Sequence, residues 1–534
     1  MDVASPFPPP ADRPEMAASH VCQWQSLVVQ LAKSLAQAEA KATELQVQVT
    51  EKDQTIQALK RQFSESKSEK MLQPEKALRK RGDIGAPTPE EILKRRADGQ
   101  KWKDELPTQD VVHALPDRTP VCDLCGSVAD HPMPPEISYS IELVPSRLVR
   151  HRHLRQQARC ECGSCIVTAP PPPRVGDKSH YGPRLAASLI TAKCLDAVAI
   201  ERYAKQLARM GVPVSPNTLF DLFHRAADMV EKLYGLLLAD VRQSDIVYAD
   251  ETRIQALDNS GPIARTPEQA KALAHTRRAW IWVFISGSTV VYKYSPSRSG
   301  DTPVEVLGES AGTLVVDAYT GYNKVTTPAG RDRCGCNAHN RRGYFDALKS
   351  APEMARGLEL VLDLYRVEHD AKALGVGGTA EHAAMRRTRC PPIFAQLKDW
   401  CIEQQALQLP ESKAGKAVAY TLNQWDALTR YVGNPKIPID NNLSERMLRI
   451  IALGRATYLF VGNDKCGQNL AKLMSLVHSA EANGHNPEAY LADVLARILD
   501  HSVNRLAELL PRNWQDPAKL SPSPPLDTAA DLTG

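Results

Sequence analysis

The chain has 534 residues, 43% of them hydrophobic and 24% charged; it is too long for one compact domain and has the balance of a soluble protein with packed cores. The formal net charge of +4 is close to neutral and is no evidence for nucleic-acid binding. Such binding must be argued from local clusters of basic residues. We find no run of 18 or more apolar residues and no leader peptide, and therefore expect a cytoplasmic protein without membrane contact. Twelve cysteines in a reducing compartment indicate metal binding or burial rather than disulfides.

The N-terminal part has one regular stretch. Residues 1–20 lack hydrophobic periodicity and are predicted to be disordered. Between Trp24 and Phe63, seam residues recur at alternating spacings of four and three, and Lys52 is the only charged one among them. This heptad pattern predicts a coiled coil within 21–72 that makes the protein a homo-oligomer, although an amphipathic helix packed on its own domain has a similar pattern.

A charged, proline-punctuated segment, 73–118, is predicted to be a linker to a zinc-binding module at 119–172. The module contains two Cys-x-x-Cys pairs, and four thiolates with this spacing suit tetrahedral structural Zn²⁺. The predicted ligands are Cys122, Cys125, Cys162 and Cys165. Cys160 is a rival ligand in the second pair, and burial of free thiols is the simpler alternative.

A cluster of basic residues inside this module favours contact with DNA phosphates, through Arg150, Arg152 and Arg155, over a merely solvated face. The next region, 173–240, is predicted to be helical with a helix-turn-helix outline, in which Ser215 caps the second helix. That helix is predicted to run unbroken to Leu238. Its first residues carry no Arg or Lys, so a packing role is as well supported as DNA reading.

Residues 241–346 are predicted to form the first part of a catalytic core. Strand-like runs occupy 245–253, 278–286, 289–294 and 312–317, with a short helix at 300–307. Asp250 lies on the first of these strands and Asp317 ends the fourth. This order, with acids on the first and fourth strands, suggests a ribonuclease-H-like α/β core. Period-two alternation puts Asp250 and Glu251 on opposite faces, so only one can join an internal site.

The third acid comes after a predicted helical insertion at 347–435, in which the basic run 386–389 is either a solvated turn or a phosphate contact. Residues 436–475 are predicted to complete the core, with Asp440, Asn441 and Asn442 capping the helix that carries Glu445. C-terminal helices at 476–514 and a disordered tail at 515–534 follow. The fold class is thus multidomain α+β.

Three converging carboxylates suit two-metal phosphoryl transfer, because hard cations about 3.5–4 Å apart need oxygen ligands from several directions. We therefore predict that Asp250, Asp317 and Glu445 bind Mg²⁺ or Mn²⁺. His339 and Arg342 are predicted to open a helix after a fifth strand and to contact the scissile phosphate. Arg446 and Arg449 keep positive charge near the site.

Ordered motifs resemble the transposases of the bacterial insertion-sequence-66 family. The marks are Ala249-Asp-Glu-Thr252, Asp317-Ala-Tyr-Thr-Gly-Tyr322, Gly335-Cys-Asn-Ala-His-Asn-Arg-Arg342, Ile439-Asp-Asn-Asn-Leu-Ser-Glu-Arg446, the cysteine pairs and the closing segments near 486–514. Asn337 and Asn340 depart from the Trp and Ala more usual in the third motif, which puts fine activity in question rather than the assignment.

The resemblance implies a DDE triad of Asp250, Asp317 and Glu445 that cuts and joins double-stranded DNA at terminal inverted repeats. It also implies small accessory proteins from the same element and a nucleoid-associated location. Two alternatives stay open: a ribonuclease-H-like nuclease that cuts without joining, and a non-catalytic DNA-binding repressor that uses the zinc module and the coiled coil.

Overall fold

The computed structural model describes residues 148–159, 166–176, 179–258, 275–326 and 330–517, and also Lys33, Leu35, Gln37 and Lys41. The chain divides into two units, Met1–Ser146 and Arg147–Gly534, and every continuous described stretch belongs to the second. The four isolated positions are helical and fall within the predicted coiled coil. The remainder of that segment, the segments 1–20 and 73–118, and the tail beyond 517 lie outside the described residues. No helix among the described residues is long and apolar enough to cross a bilayer.

The described unit mixes strands and helices. Its strands are β1 (Gln157–Arg159), β2 (Ile166–Thr168), β3 (Ile246–Asp258), β4 (His275–Ser286), β5 (Thr289–Ser295), β6 (Thr313–Val315) and β7 (Asp332–Cys334). Its α-helices are α1 (Pro183–Cys194), α2 (Ile200–Arg209), α3 (Pro216–Met229), α4 (Glu231–Gln243), α5 (Asp301–Leu307), α6 (Asn337–Ala347), α7 (Met354–Ala373), α8 (Ala380–Leu407), α9 (Lys413–Asn423), α10 (Trp425–Thr429), α11 (Asn442–Thr457), α12 (Asp464–Ala482) and α13 (Pro487–Arg497). Short 3₁₀ helices span Thr320–Val325, Arg430–Gly433 and Val503–Leu509.

A five-stranded mixed sheet with the order β5-β4-β3-β6-β7 forms the centre of the unit. The first three strands pair antiparallel, and β6 and β7 add parallel to β3. The predicted strands are present, but β6 is only three residues long and ends before Asp317. The apolar run of β4 is almost fully buried from Ile281 to Ile285, as expected when helices cover both faces of a strand.

Helix α12 covers the edge strand β5. The hydroxyl groups of Ser475 and Ser479 accept hydrogen bonds from the backbone N–H groups of Tyr292 (2.8 Å) and Val290 (2.9 Å). An edge strand otherwise presents unpaired backbone groups that invite pairing with another chain. Gly467 allows this close approach, since a Cβ there would lie 2.3 Å from the ring of Tyr294.

The helical region before the sheet has the predicted helix-turn-helix outline, but its second helix is not continuous. Ser215 caps α3 by accepting a hydrogen bond from the Thr218 amide at 3.1 Å. The helix predicted to reach Leu238 is broken at the buried Val230, whose φ and ψ are −94° and 8°. Since no proline or glycine stands at the break, local sequence could not have indicated it. The buried face of α3 joins the main hydrophobic core.

Helices α7 to α10 form the insertion between the second and third acids. Arg386, in the second turn of α8, is 1% exposed and forms two hydrogen bonds to Glu368. Its Nη1 also donates to three backbone carbonyl oxygens, those of Tyr431, Asn434 and Ile437. The predictions of a phosphate contact or a solvated turn at Arg386 are therefore wrong. This guanidinium instead fixes the chain that leads to Glu445.

Candidate active site

The parallel pairing of β3 with β6 brings Asp250 and Asp317 level with each other. Tyr248 is the partner of Val315 in this ladder, and each acid lies two residues further along its segment. Continuing the register therefore aligns the two carboxylates at one end of β6. Both side chains accept a local backbone hydrogen bond: Asp250 Oδ1 from the Glu251 amide (2.8 Å) and Asp317 Oδ1 from the Tyr319 amide (2.9 Å).

A buried asparagine joins the helix of the third acid to the strand of the first. Asn441 Nδ2 donates to the carbonyl oxygen of Ala249 at 2.7 Å, and its Oδ1 accepts from the Ser444 hydroxyl at 2.8 Å. Asn441 is the residue before α11, but its side chain accepts no helix amide. The predicted capping by Asn441 is therefore wrong, because the amide is used to bind β3. Asp440 does accept the Asn442 amide, at 3.2 Å.

Glu445 faces α6. Its Oε1 lies 3.8 Å from His339 Nε2, and its Oε2 lies 3.5 Å from Arg342 Nη2. All three side chains are about 30% exposed. The structure thus brings His339 and Arg342, two of the residues predicted to bind DNA, to one of the predicted metal ligands.

Asp250 is a largely buried acid whose pKa is raised. Burial raises its pKa to about 8, and the carboxylates of Glu251, Asp317 and Glu445 add to the rise, whereas the hydrogen bond from the Glu251 amide opposes it. Asp317 and Glu445 therefore lie close enough to Asp250 to interact with it electrostatically. Strongly shifted acids of this kind concentrate at functional sites.

The donor chemistry of the site fits a hard divalent cation, but the ligands are not assembled. Carboxylate oxygens are what Mg²⁺ and Mn²⁺ prefer, and Glu445 Oε1 is buried without a hydrogen-bond partner. Within the described stretches, however, no three His, Cys, Asp or Glu side chains stand close enough together to hold a metal ion. Metal binding at these acids would require their side chains to move closer together.

The sequence reasoning missed a polar cluster beside Asp250 and Asp317. Glu251 is 8% exposed and accepts hydrogen bonds from Tyr322 Oη (2.7 Å) and from Arg298 Nε and Nη2 (2.8 and 2.6 Å). The period-two alternation of strand side chains correctly placed Glu251 and Asp250 on opposite faces of β3. It did not indicate which residues would bind the buried Glu251 carboxylate. A buried carboxylate needs hydrogen-bonding partners, so the expected burial of Glu251 could have prompted a search for a nearby arginine or tyrosine.

The loop after Asp317 is held by a second arginine. Arg333 Nη2 donates to the carbonyl oxygens of Asp317 (2.9 Å) and Tyr319 (2.6 Å), and its Nη1 donates to Asn323 (2.7 Å). Arg333 lies on β7, so this strand positions the loop next to the candidate site.

The two departures from the family motif are buried and hydrogen-bonded. Asn337 Nδ2 donates to the carbonyl oxygens of Leu428 and Ile439, at 3.2 and 3.3 Å. Asn340 Oδ1 accepts from Thr421 Oγ1 at 2.6 Å. Both residues therefore pack α6 against the insertion and the approach to α11, without pointing at the three acids. Cys334 and Cys336 are buried free thiols, and Cys336 Sγ accepts a hydrogen bond from the Asn441 backbone amide at 3.3 Å.

The remaining predicted site residues lie on the surface or outside the residues that the structure describes. Arg150, Arg152, Arg446 and Arg449 are exposed, and Arg155 uses its Nε to donate to the Ala169 carbonyl oxygen at 2.7 Å. All five cysteines considered as zinc ligands lie outside the described residues, so the zinc site stays a prediction.

Comparisons with known proteins identify the family. The family model described as "Transposase IS66 family" matches residues 178–469, and the one described as "IS66 C-terminal element" matches residues 475–512. Two proteins of Sinorhizobium fredii (strain NBRC 101917 / NGR234) are similar: "Uncharacterized protein y4jD", 31% identical over 77% of this chain and 81% of its own length, and "Uncharacterized protein y4hP", 26% identical over 79% and 78%. The first family model spans more than half of the chain and contains all three acids, and the chain therefore belongs to the IS66 family of transposases.

Proposed function

We propose that the chain is a DDE transposase that cleaves DNA at the terminal inverted repeats of an insertion sequence and joins the ends to target DNA. The observation that carries the proposal is that Asp250 on β3, Asp317 just beyond β6 and Glu445 on α11 lie in adjoining segments, linked by the β3–β6 ladder and by the hydrogen bond from Asn441 to Ala249. The sheet order β5-β4-β3-β6-β7 supports a ribonuclease-H-like core. Family membership supports a transposase with divalent-metal use.

In this proposal the carboxylates of Asp250, Asp317 and Glu445 would hold divalent metal. When bound, such metal supplies activation of the attacking oxygen and stabilisation of the leaving oxygen. In strand transfer, the 3′-hydroxyl of the cleaved end loses its proton to solvent, and its oxygen forms a new bond to a target phosphorus. The displaced 3′ oxygen of the target leaves and takes up a proton.

The residues around the acids position the substrate. His339 and Arg342 lie on α6 and face Glu445 of α11. They are proposed to hydrogen-bond the scissile phosphate, since Arg can bind phosphate oxygens through two donors. Arg446 and Arg449 lie exposed on α11 and are proposed to contact flanking phosphates. Asn441 holds the start of α11 on β3, which keeps Glu445 beside Asp250.

The other modules complete the proposal. A coiled coil within 21–72 would join two or more copies, so that both ends of the element are bound in one complex. A zinc module at 119–172, with Arg150, Arg152 and Arg155, would add DNA contacts. Small accessory proteins of the same element are proposed partners.

The test is a strand-transfer assay with a labelled duplex that carries the terminal repeat found in the DNA flanking the gene, a plasmid target and Mg²⁺ or Mn²⁺. Each of Asp250→Asn, Asp317→Asn and Glu445→Gln should lower joined product by at least roughly 100-fold. Glu508→Gln, which removes an exposed carboxylate paired with Arg505, is the matched control and should retain activity.

The assay also separates the alternatives. Cleaved but unjoined products would indicate a nuclease. Binding of the terminal duplex without metal-dependent products, unchanged when all three acids are replaced, would indicate a repressor. Wild-type joining by Glu445→Gln would refute the assignment of the third acid.

A further inference from the structure

Arg298 is an exposed arginine that is nevertheless held in place on several sides. Its side chain is 42% exposed. Its Nε and Nη2 both donate to Glu251 Oε1, at 2.8 and 2.6 Å. Its guanidinium carbon lies 4.0 Å from the centre of the Tyr319 ring and 5.0 Å from that of Trp280. The Tyr319 hydroxyl in turn donates to the backbone carbonyl oxygen of Arg298.

The partners of Arg298 connect it to the candidate active site. Glu251 is the residue after Asp250 on β3, and Tyr319 lies two residues after Asp317 and donates its amide to that acid. Partial burial lowers the pKa of the guanidinium, but the hydrogen bonds and charge of Glu251, together with the charge of Asp317, outweigh it and leave the pKa raised. Arg298 is thus fixed by the two segments that carry the first and second acids.

The guanidinium retains donors for a ligand. An arginine has five N–H donors, and two of them are used on Glu251. Nη1 makes no hydrogen bond to another described residue, and the side chain faces solvent. An exposed ion pair by itself contributes little to stability, whereas a guanidinium held rigidly loses less entropy when it binds a phosphate.

We propose that Arg298 is a phosphate-binding subsite for the DNA backbone, beside Asp317 and distinct from the basic residues of α6 and α11. The ligand is a phosphodiester of a strand that enters the site. This inference rests on the proposed function for the identity of the ligand, but its test measures binding and not catalysis.

The experiment measures binding of the labelled terminal duplex to the full-length protein in EDTA, by fluorescence anisotropy at several NaCl concentrations. Arg298→Gln should weaken binding roughly tenfold and should reduce the slope of log K against log[NaCl] by about 1, as expected for one lost phosphate contact. Arg505→Gln is the matched control, since Arg505 forms a similar two-bond pair with Glu508 in an exposed position. It should leave affinity and slope unchanged.

A second variant guards against misfolding. Arg298→Gln leaves Glu251 with a weaker partner, and an unpaired buried acid is costly. The double variant Glu251→Gln/Arg298→Gln removes both charges and should restore the melting temperature while keeping the reduced slope. A wild-type slope in either variant would overturn the subsite.

Two further arms locate the phosphate and separate this inference from the proposed function. Repeating the titration with target duplex alone shows whether the lost contact belongs to the element end or to the target, and a reduced slope with one of them supports the subsite. If the protein joins no DNA under any metal condition but Arg298→Gln still reduces the slope, the proposed function fails and the subsite stands.

Discussion

Replacing Asp250 with Asn should stabilise the metal-free protein, and the gain should grow with pH. The pKa of this carboxyl is raised from 3.8 to about 8. A raised acid pKa means that the folded state binds a proton which the unfolded state has lost, so the contribution to stability falls as pH rises from about 4 to about 8. Asn lacks this titration, and the two proteins should diverge over that window.

The size of the divergence follows from the shift. At about 1.36 kcal/mol per pH unit, the carboxyl costs the folded state about 3 kcal/mol at pH 6 and about 5 kcal/mol at pH 8. These are upper bounds, because neighbouring acids can relax. A large domain gains roughly 2 °C in melting temperature per kcal/mol. Asp250→Asn should therefore melt roughly 10 °C above the wild type at pH 8 and roughly 6 °C above it at pH 6.

The assay is thermal unfolding in EDTA from pH 5 to pH 9, followed by intrinsic fluorescence. Mg²⁺ or Mn²⁺ should reduce the difference, since a cation that binds the three carboxylates stabilises the wild type and not the variant. Parallel melting temperatures for the two proteins across this pH range would refute the conclusion that burial and neighbouring acids raise the pKa of Asp250. Asp301→Asn, at an exposed position, is the control and should follow the wild type.

Two further predictions concern residues that hold the site together. Asn441→Ala should lower the free energy of unfolding by about 2 kcal/mol, because it leaves the buried carbonyl oxygen of Ala249 unpaired. It should also reduce strand transfer more than it reduces binding of the terminal duplex. Asn442→Ala, at an exposed neighbouring position, should have neither effect. Arg386→Met should cost about 3–5 kcal/mol in unfolding free energy by chemical denaturation, since the half-buried Glu368 loses its guanidinium partner and three backbone carbonyl oxygens lose their donor. Arg389→Gln, which removes an exposed ion pair, should change it by less than about 1 kcal/mol. A mild Arg386→Met phenotype would argue against its role in fixing the approach to α11.

The sequence alone indicated the three antiparallel strands of the sheet and the helix that carries Glu445, whereas the predicted fourth strand, 312–317, is only Thr313–Val315 in the structure. β4 and β5 are encoded by short apolar runs, and such runs indicate buried strands without reference to distant residues. Alternation within β3 also separated Asp250 from Glu251. The break at Val230 was missed because nothing in the local sequence marks it.

Tertiary structure decided which side chains meet. The alignment of Asp250 with Asp317 depends on the register of a parallel ladder, and the hydrogen bond from Asn441 to Ala249 joins residues 192 positions apart. The partners of Arg386 and Arg298 likewise come from distant segments. Periodicity reports only which face of an element is buried, whereas a hydrogen bond depends on where the rest of the chain places its partner. The sequence therefore indicated an acid on a buried strand, an acid after a buried apolar run and an acid on a later helix, but the residues that hold these segments together could not be predicted.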